Sequence, residues 1–116
     1  MTSWLLLAPL FLTGCPRPGA GAKAEAWYRK AEPVIAALNR YRTERGSYPN
    51  SLAELPADWL PPLEERQPHS PDRGFAYARK GDAYELTFSY AGPGINHCTH
   101  YSAPLDDRRW SCGGDY

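Results

Sequence analysis

The chain has 116 residues, of which 42% are hydrophobic, 13% aromatic and 22% charged, a globular composition with room for one domain. Thirteen Lys and Arg balance thirteen Asp and Glu, for a formal net charge of zero; no positive field gathers phosphates and no Lys/Arg stripe is present, which argues against a nucleic-acid partner. Twelve prolines and ten glycines call for many turns and short elements.

Residues 4–12 form an apolar run broken only by Pro9. It is too short for a membrane-spanning helix, which takes about 20 residues, and has the length of the apolar region of a secretory signal. The run closes on Leu12-Thr13-Gly14-Cys15. This resembles the bacterial lipobox: an aliphatic residue, a small one, Gly or Ala, then the cysteine that is lipidated and becomes the new N-terminus. The resemblance implies removal of residues 1–14 as a signal peptide and attachment to a membrane through a lipid on Cys15. Two or more acyl chains hold a protein stably at a bilayer, at about 0.8 kcal/mol per buried CH₂. Pro16 and Arg17 stand where an Asp would retain such a protein in the inner membrane, which implies the outer membrane, facing the periplasm or the cell surface. Residues 15–22, rich in Pro and Gly, read as a flexible tether, and the folded domain is expected over residues 23–116. The competing reading of Cys15 is a structural cysteine in a short core helix.

Residues 23–45 have helical periodicity. Ala24, Trp27, Ala31, Val34, Ile35, Leu38 and Tyr41 recur in steps of three and four, with charged residues on the other faces. Gly46 is placed to end the helix, and Arg42 and Arg45 suit the negative end of its dipole. Pro33 lies inside the span and is expected to kink the helix or to start a second one near Glu32. Ser47-Tyr48-Pro49-Asn50 reads as a turn. Ser51 and Glu54 have capping-box spacing, and Pro56 limits that helix to little more than one turn. Residues 56–73 read as a long irregular connection, with Trp59, Leu60 and Leu63 as inward anchors.

Strand signals begin at Gly74. Phe75 and Tyr77, then Tyr84, Leu86, Phe88 and Tyr90, alternate with small or polar residues around a Lys80-Gly81-Asp82 turn, the pattern of an antiparallel hairpin. Residues 91–94 break it. Residues 98–101 and 108–112 read as a second hairpin, turning through residues 104–107. The expected fold is α+β: an N-terminal amphipathic helix packed on a four-stranded antiparallel sheet.

With Cys15 lipidated, Cys98 and Cys112 remain. An even pair in an exported chain reads as a disulfide, and their spacing suits facing strands of a hairpin. The alternative is a zinc set of His97, Cys98, His100 and Cys112, opposed by the alternation that sends His97 and Cys98 to opposite faces of a strand.

The run Ile35-Ala36-Ala37-Leu38-Asn39-Arg40-Tyr41, followed by Glu44-Arg45-Gly46-Ser47-Tyr48-Pro49 and Ser51-Leu52-Ala53-Glu54-Leu55, resembles the globular head of type IV pilins, in particular the major pseudopilin of type II secretion systems. The resemblance covers about residues 30–56 closely and residues 74–116 only as a sheet arrangement. Pilin subunits begin with a prepilin peptidase site and a long apolar helix. Here the lipobox stands in that place, so the chain looks like a pilin-type head on a lipid anchor that does not polymerise by the family's route. The resemblance also implies calcium in the C-terminal loops, where Asp106, Asp107 and Asp115 could donate oxygens; plain solvated turn residues are the simpler reading.

No catalytic motif is legible. His69 and Ser70 sit among prolines, no Gly-x-Ser-x-Gly elbow occurs, and Pro93 spoils Gly92-Pro93-Gly94 as a phosphate loop. Glu64-Glu65 and Asp106-Asp107 read as solvated surface. No cofactor is expected. Tyr77, Tyr84, Phe88 and Tyr90, extended by Trp110, would form one aromatic face of the sheet. It is either core beneath the helix or an exposed platform for a glycan or peptide. The leading expectation is a non-enzymatic, membrane-anchored envelope lipoprotein acting through contacts with an envelope protein, such as a secretion or pilus assembly. A ligand- or glycan-binding lipoprotein and a small envelope hydrolase are the alternatives.

Overall fold

The computed structural model describes residues 17–62, 74–92, 94–103 and 109–115. Cys15, Leu63, Glu64, Glu65, His69, Ser70, Asp106 and Asp107, with the signal-peptide reading, residues 63–73 of the connection and the turn at 104–107, lie outside the described residues.

Helix α1, Ala22–Arg45, is one continuous element of 24 residues. Ala24, Ala31, Val34, Ile35, Leu38 and Tyr41 of the expected stripe are buried, joined by Ala37, and Trp27 packs at its margin. Of the outcomes expected at Pro33, a kink or a new helix near Glu32, the second does not occur: α1 runs through Pro33 without interruption. Pro33 cannot donate to the Arg29 carbonyl, but Arg29 is exposed, so water can serve that carbonyl, and the buried stripe on either side keeps the helix in register.

α1 ends on Gly46, whose φ is +86° and whose N–H donates to the Arg42 carbonyl at 2.7 Å. A Cβ placed there would meet nothing within 4 Å. Gly46→Ala therefore isolates the backbone cost of the left-handed conformation. It is expected to lower the unfolding free energy by about 1 kcal/mol with no change in core packing, read by urea unfolding.

The Tyr48-Pro49 turn folds back beneath the end of α1. Tyr48 is buried, meets Tyr84 edge-on at 4.7 Å, and carries the Arg42 guanidinium over its outer face at 5.2 Å. Two short 3₁₀ turns follow, Leu52–Glu54 and Ala57–Trp59. In the first, the Glu54 carboxylate accepts from the backbone N–H groups of Asn50 and Ser51, the return half of a capping box. The second was not foreseen; it seats Trp59 and Leu60 against the core and lays the Arg40 guanidinium over Trp59 at 4.0 Å.

The sheet is an antiparallel meander of β1 (Ala76–Lys80), β2 (Ala83–Gly92), β3 (Gly94–Tyr101) and β4 (Ser111–Asp115), in that spatial order. The fold is the expected α+β arrangement, with α1 over one face. The β1–β2 turn falls at Gly81-Asp82, as read from sequence, with Lys80 opposite Ala83.

Two boundaries differ from expectation. The segment read as a break at residues 91–94 is largely strand: β2 runs on to Gly92 and β3 already begins at Gly94, with Ala91 opposite Ile95 and Gly92 opposite Gly94, so the β2–β3 turn is confined between them. The last strand is Ser111–Asp115 rather than residues 108–112. Gly113 and Gly114 carry no strand signal, yet their backbones pair with His97 and Asn96. Asn96 is buried against Gly114, where a Cβ would come within 2.5 Å of its Oδ1.

The chain directions define two poles. The start of α1, the β2–β3 turn and the end of β4 meet at one. The end of α1, the Tyr48-Pro49 turn and the β1–β2 turn meet at the other.

Candidate functional site

The five aromatic side chains read as a candidate binding face come together on the α1 side of the sheet. Tyr84 and Phe88 are each 1% exposed. Tyr77, Tyr90 and Trp110 are partly buried against the same cluster. Phe88 is the hub: Trp27 lies parallel to it at 5.5 Å, while Tyr28 at 5.5 Å and Trp110 at 5.2 Å present edges. Alternation put these rings on one face, and α1 covers that face. Of the two readings, core beneath the helix or exposed platform, the burial of the two central rings agrees with the first.

Tyr84 carries the one buried side-chain polar atom without a hydrogen bond among the described residues, its hydroxyl. Burial, reinforced by the neighbouring phenols of Tyr48 and Tyr77, holds its proton well above the usual phenol range. Tyr77 donates its hydroxyl to the Pro49 carbonyl at 2.7 Å, and burial pushes its pKa up to about 12. Below about pH 10 these phenols are neutral in both folded and unfolded chains. Above it the unfolded chain loses protons that the folded chain keeps, so stability falls as pH rises. The urea midpoint is expected to hold through neutral pH and decline above pH ~10. Tyr84→Phe is expected to be neutral or slightly stabilising at pH 7, because it deletes an unpaired buried hydroxyl, and to make the alkaline decline shallower.

Cys98 and Cys112 stand directly opposite in the β3–β4 register, with Cα atoms 4.1 Å apart, and form a disulfide. Their sulfurs are bonded to each other, so neither is a thiolate free for zinc. The histidines of the zinc reading diverge as well. His97 is on the outward face, its Nδ1 2.8 Å from Ser89 Oγ. His100 is on the helix side, between the Tyr84 and Trp110 rings, with Nδ1 3.0 Å from the Arg109 carbonyl. No group of three or more His, Cys, Asp or Glu converges among the described residues. Asp115 is the last residue of β4, opposite Ile95.

The disulfide is the centre of a constellation that sequence reading missed. The hydroxyl of Tyr28 lies 3.4 Å from Cys112 Sγ and 3.7 Å from Cys98 Sγ, and donates to the Gly19 carbonyl at 2.8 Å. The Gly19 N–H donates to the Tyr90 hydroxyl at 2.7 Å. A turn closed by Ala20 N–H on the Arg17 carbonyl at 3.0 Å delivers Gly19 to this place. Gly19 has φ +88°, and a Cβ there would stand 2.5 Å from Cys112 Sγ and 2.9 Å from Tyr28 Oη. Residues 17–21, read as tether, are thus in part a turn docked on the sheet. Tyr28 was legible, since 24, 28, 31 and 35 also run in helical steps. The Gly19–Tyr90 bond was not, because it spans 71 positions.

On the outward face Thr87 and Thr99 share a 2.8 Å hydrogen bond, and Ser89, Ala91, Ile95 and His97 are exposed. The Ser89–His97 pair is exposed on this face, and among the described residues no buried carboxylate is seen to orient the His97 ring as a catalytic base requires. Among the described residues no helix is long and apolar enough to cross a membrane. No family model matches this chain, no curated protein matches it, and no solved structure matches it.

Proposed function

We propose that this protein is a lipid-anchored component of a bacterial cell envelope, a small head that acts through protein–protein contacts rather than catalysis. The observation that carries the reading is the apolar run closing on Leu12-Thr13-Gly14-Cys15, immediately before a domain stapled by Cys98–Cys112. Disulfides persist in oxidising compartments outside the cytoplasm, where a lipobox would send the chain. The second support is the order of elements after residue 22: a helix, a left-handed Gly exit, a Tyr-Pro turn and an antiparallel sheet. That order suits a head of the pilin and pseudopilin type, and hence a place beside a secretion or pilus assembly. With its aromatic face closed by α1, the head keeps for a partner the outward face of the sheet away from the Gly19 pole, where Tyr101 is 39% exposed.

Intact mass of the protein from the membrane fraction of its native host tests the reading. The expected mass is that of residues 15–116 plus a diacylglyceryl and an acyl group, less two protons for the disulfide. An unprocessed chain in the soluble fraction would sink it.

A further inference from the structure

We infer that the pole around Gly19 is a membrane-seating surface: with Cys15 acylated, the docked Gly19 turn holds this pole against the lipid headgroups and fixes the orientation of the head. The inference rests on the lipid-anchor reading above.

Reach is the first argument. Cys15 precedes Gly19 by four residues, which span at most about 14 Å fully extended. Gly19 itself is held on both sides, its N–H by Tyr90 and its carbonyl by Tyr28. Without the clamp the leash would run seven residues to the start of α1 at Ala22, about 25 Å at full stretch, and the head could tilt and turn freely. The clamp removes that slack and keeps the attachment point within about 14 Å of Gly19.

The second argument is the chemistry of the pole. Lys23, in the first turn of α1, donates to the Ala91 carbonyl at 2.8 Å and ties the helix to the end of β2, next to the β2–β3 turn. Ile95, just past that turn, is the most exposed large apolar side chain described, at 48%. Arg17 is exposed beside the docked turn, and Glu25 is the acid of the first helical turn. An exposed apolar tip suits the boundary of headgroups and acyl chains. Charge does not choose the pole: Arg17 and Lys23 are matched here by Glu25 and by Asp115, which pairs with Ile95, while Arg42, Arg45, Arg79 and Lys80 lie at the opposite end. The clamp makes the choice, leaving that basic end turned away from the lipid.

The test uses the processed, lipidated protein in phospholipid nanodiscs that contain headgroup spin-labelled lipid, with paramagnetic relaxation read at each backbone amide. The 24-residue helix separates the poles by about 36 Å at 1.5 Å per residue. Relaxation at Lys23 and Ile95 is therefore expected to exceed that at Gly46 and Gly81 by roughly tenfold or more. Gly19→Ala, which cannot keep the docked turn, is expected to flatten this gradient several-fold while the disulfide and the sheet amide shifts persist. Tyr90→Phe, which removes only the acceptor of the Gly19 N–H, covers the case that Gly19→Ala fails to fold. Equal relaxation at both poles of a wild-type protein whose mass shows the lipid would overturn the seating and leave the anchor reading standing. A gradient that survives both substitutions would overturn the clamp as its cause. A chain without lipid overturns both readings.

Discussion

Breaking the Cys98–Cys112 bond is expected to lower the unfolding free energy by about 3 kcal/mol, the chain-entropy value for a closed loop of about 15 residues. The bond joins residues 14 positions apart in sequence, so unfolding with it intact leaves that loop closed. The loss is a large share of the stability of a domain this size, for which about 5–15 kcal/mol is typical. Urea unfolding with and without reductant gives the number, and reduction should also steepen the denaturant slope, because the freed loop exposes more surface. The double substitution Cys98→Ala, Cys112→Ala should cost more than reduction, since Cys98 is fully buried and its sulfur fills core volume. A reductant effect below about 1 kcal/mol would mean that the loop is already ordered in the unfolded ensemble. β4 should be the first element lost on reduction. It is a five-residue edge strand paired with β3 alone, and two of its residues are glycines.

Phe88→Ala is expected to cost about 3–5 kcal/mol, the range for removing a fully buried aromatic ring. Phe88 is 1% exposed and joins rings from three parts of the chain: Trp27 and Tyr28 of α1, Phe75 before β1, and Trp110 before β4. No neighbour can collapse into the space without leaving its own contacts, so the cavity term should be near the top of that range. Thermal and urea unfolding read the loss. A value under about 1.5 kcal/mol would show that the five rings do not pack as one core. The same measurement bears on the function, since a ring set that served as an exposed platform would tolerate the substitution with little loss of stability.

The helix, the Gly46 exit, the first hairpin and the partnership of Cys98 with Cys112 were legible because each is a local signal. Steps of three and four mark α1, and alternation marks β2. Gly81-Asp82 marks a tight turn, and two cysteines in facing strands mark a bridge. The second helix start offered at Pro33 was a local rule overridden: one missing donor on an exposed side weighs less than a stripe of buried contacts on both sides of it. The β3 and β4 boundaries were misplaced because glycine is a weak strand former, while here pairing with an adjacent strand, and in one case the close approach of Asn96, sets the conformation of Gly94, Gly113 and Gly114.

By itself, then, the sequence determined the element types, the face each presents, the disulfide, and the apolar run and cysteine that point to a lipid anchor. Only the tertiary structure decided that the aromatic face is core and that the Gly19 turn is pinned between Tyr28, Tyr90 and the disulfide. Periodicity records which side of an element a residue occupies. It does not record what covers that side, and contacts spanning about 70 positions arise only when burial of the whole ring cluster outweighs the chain entropy opposing it.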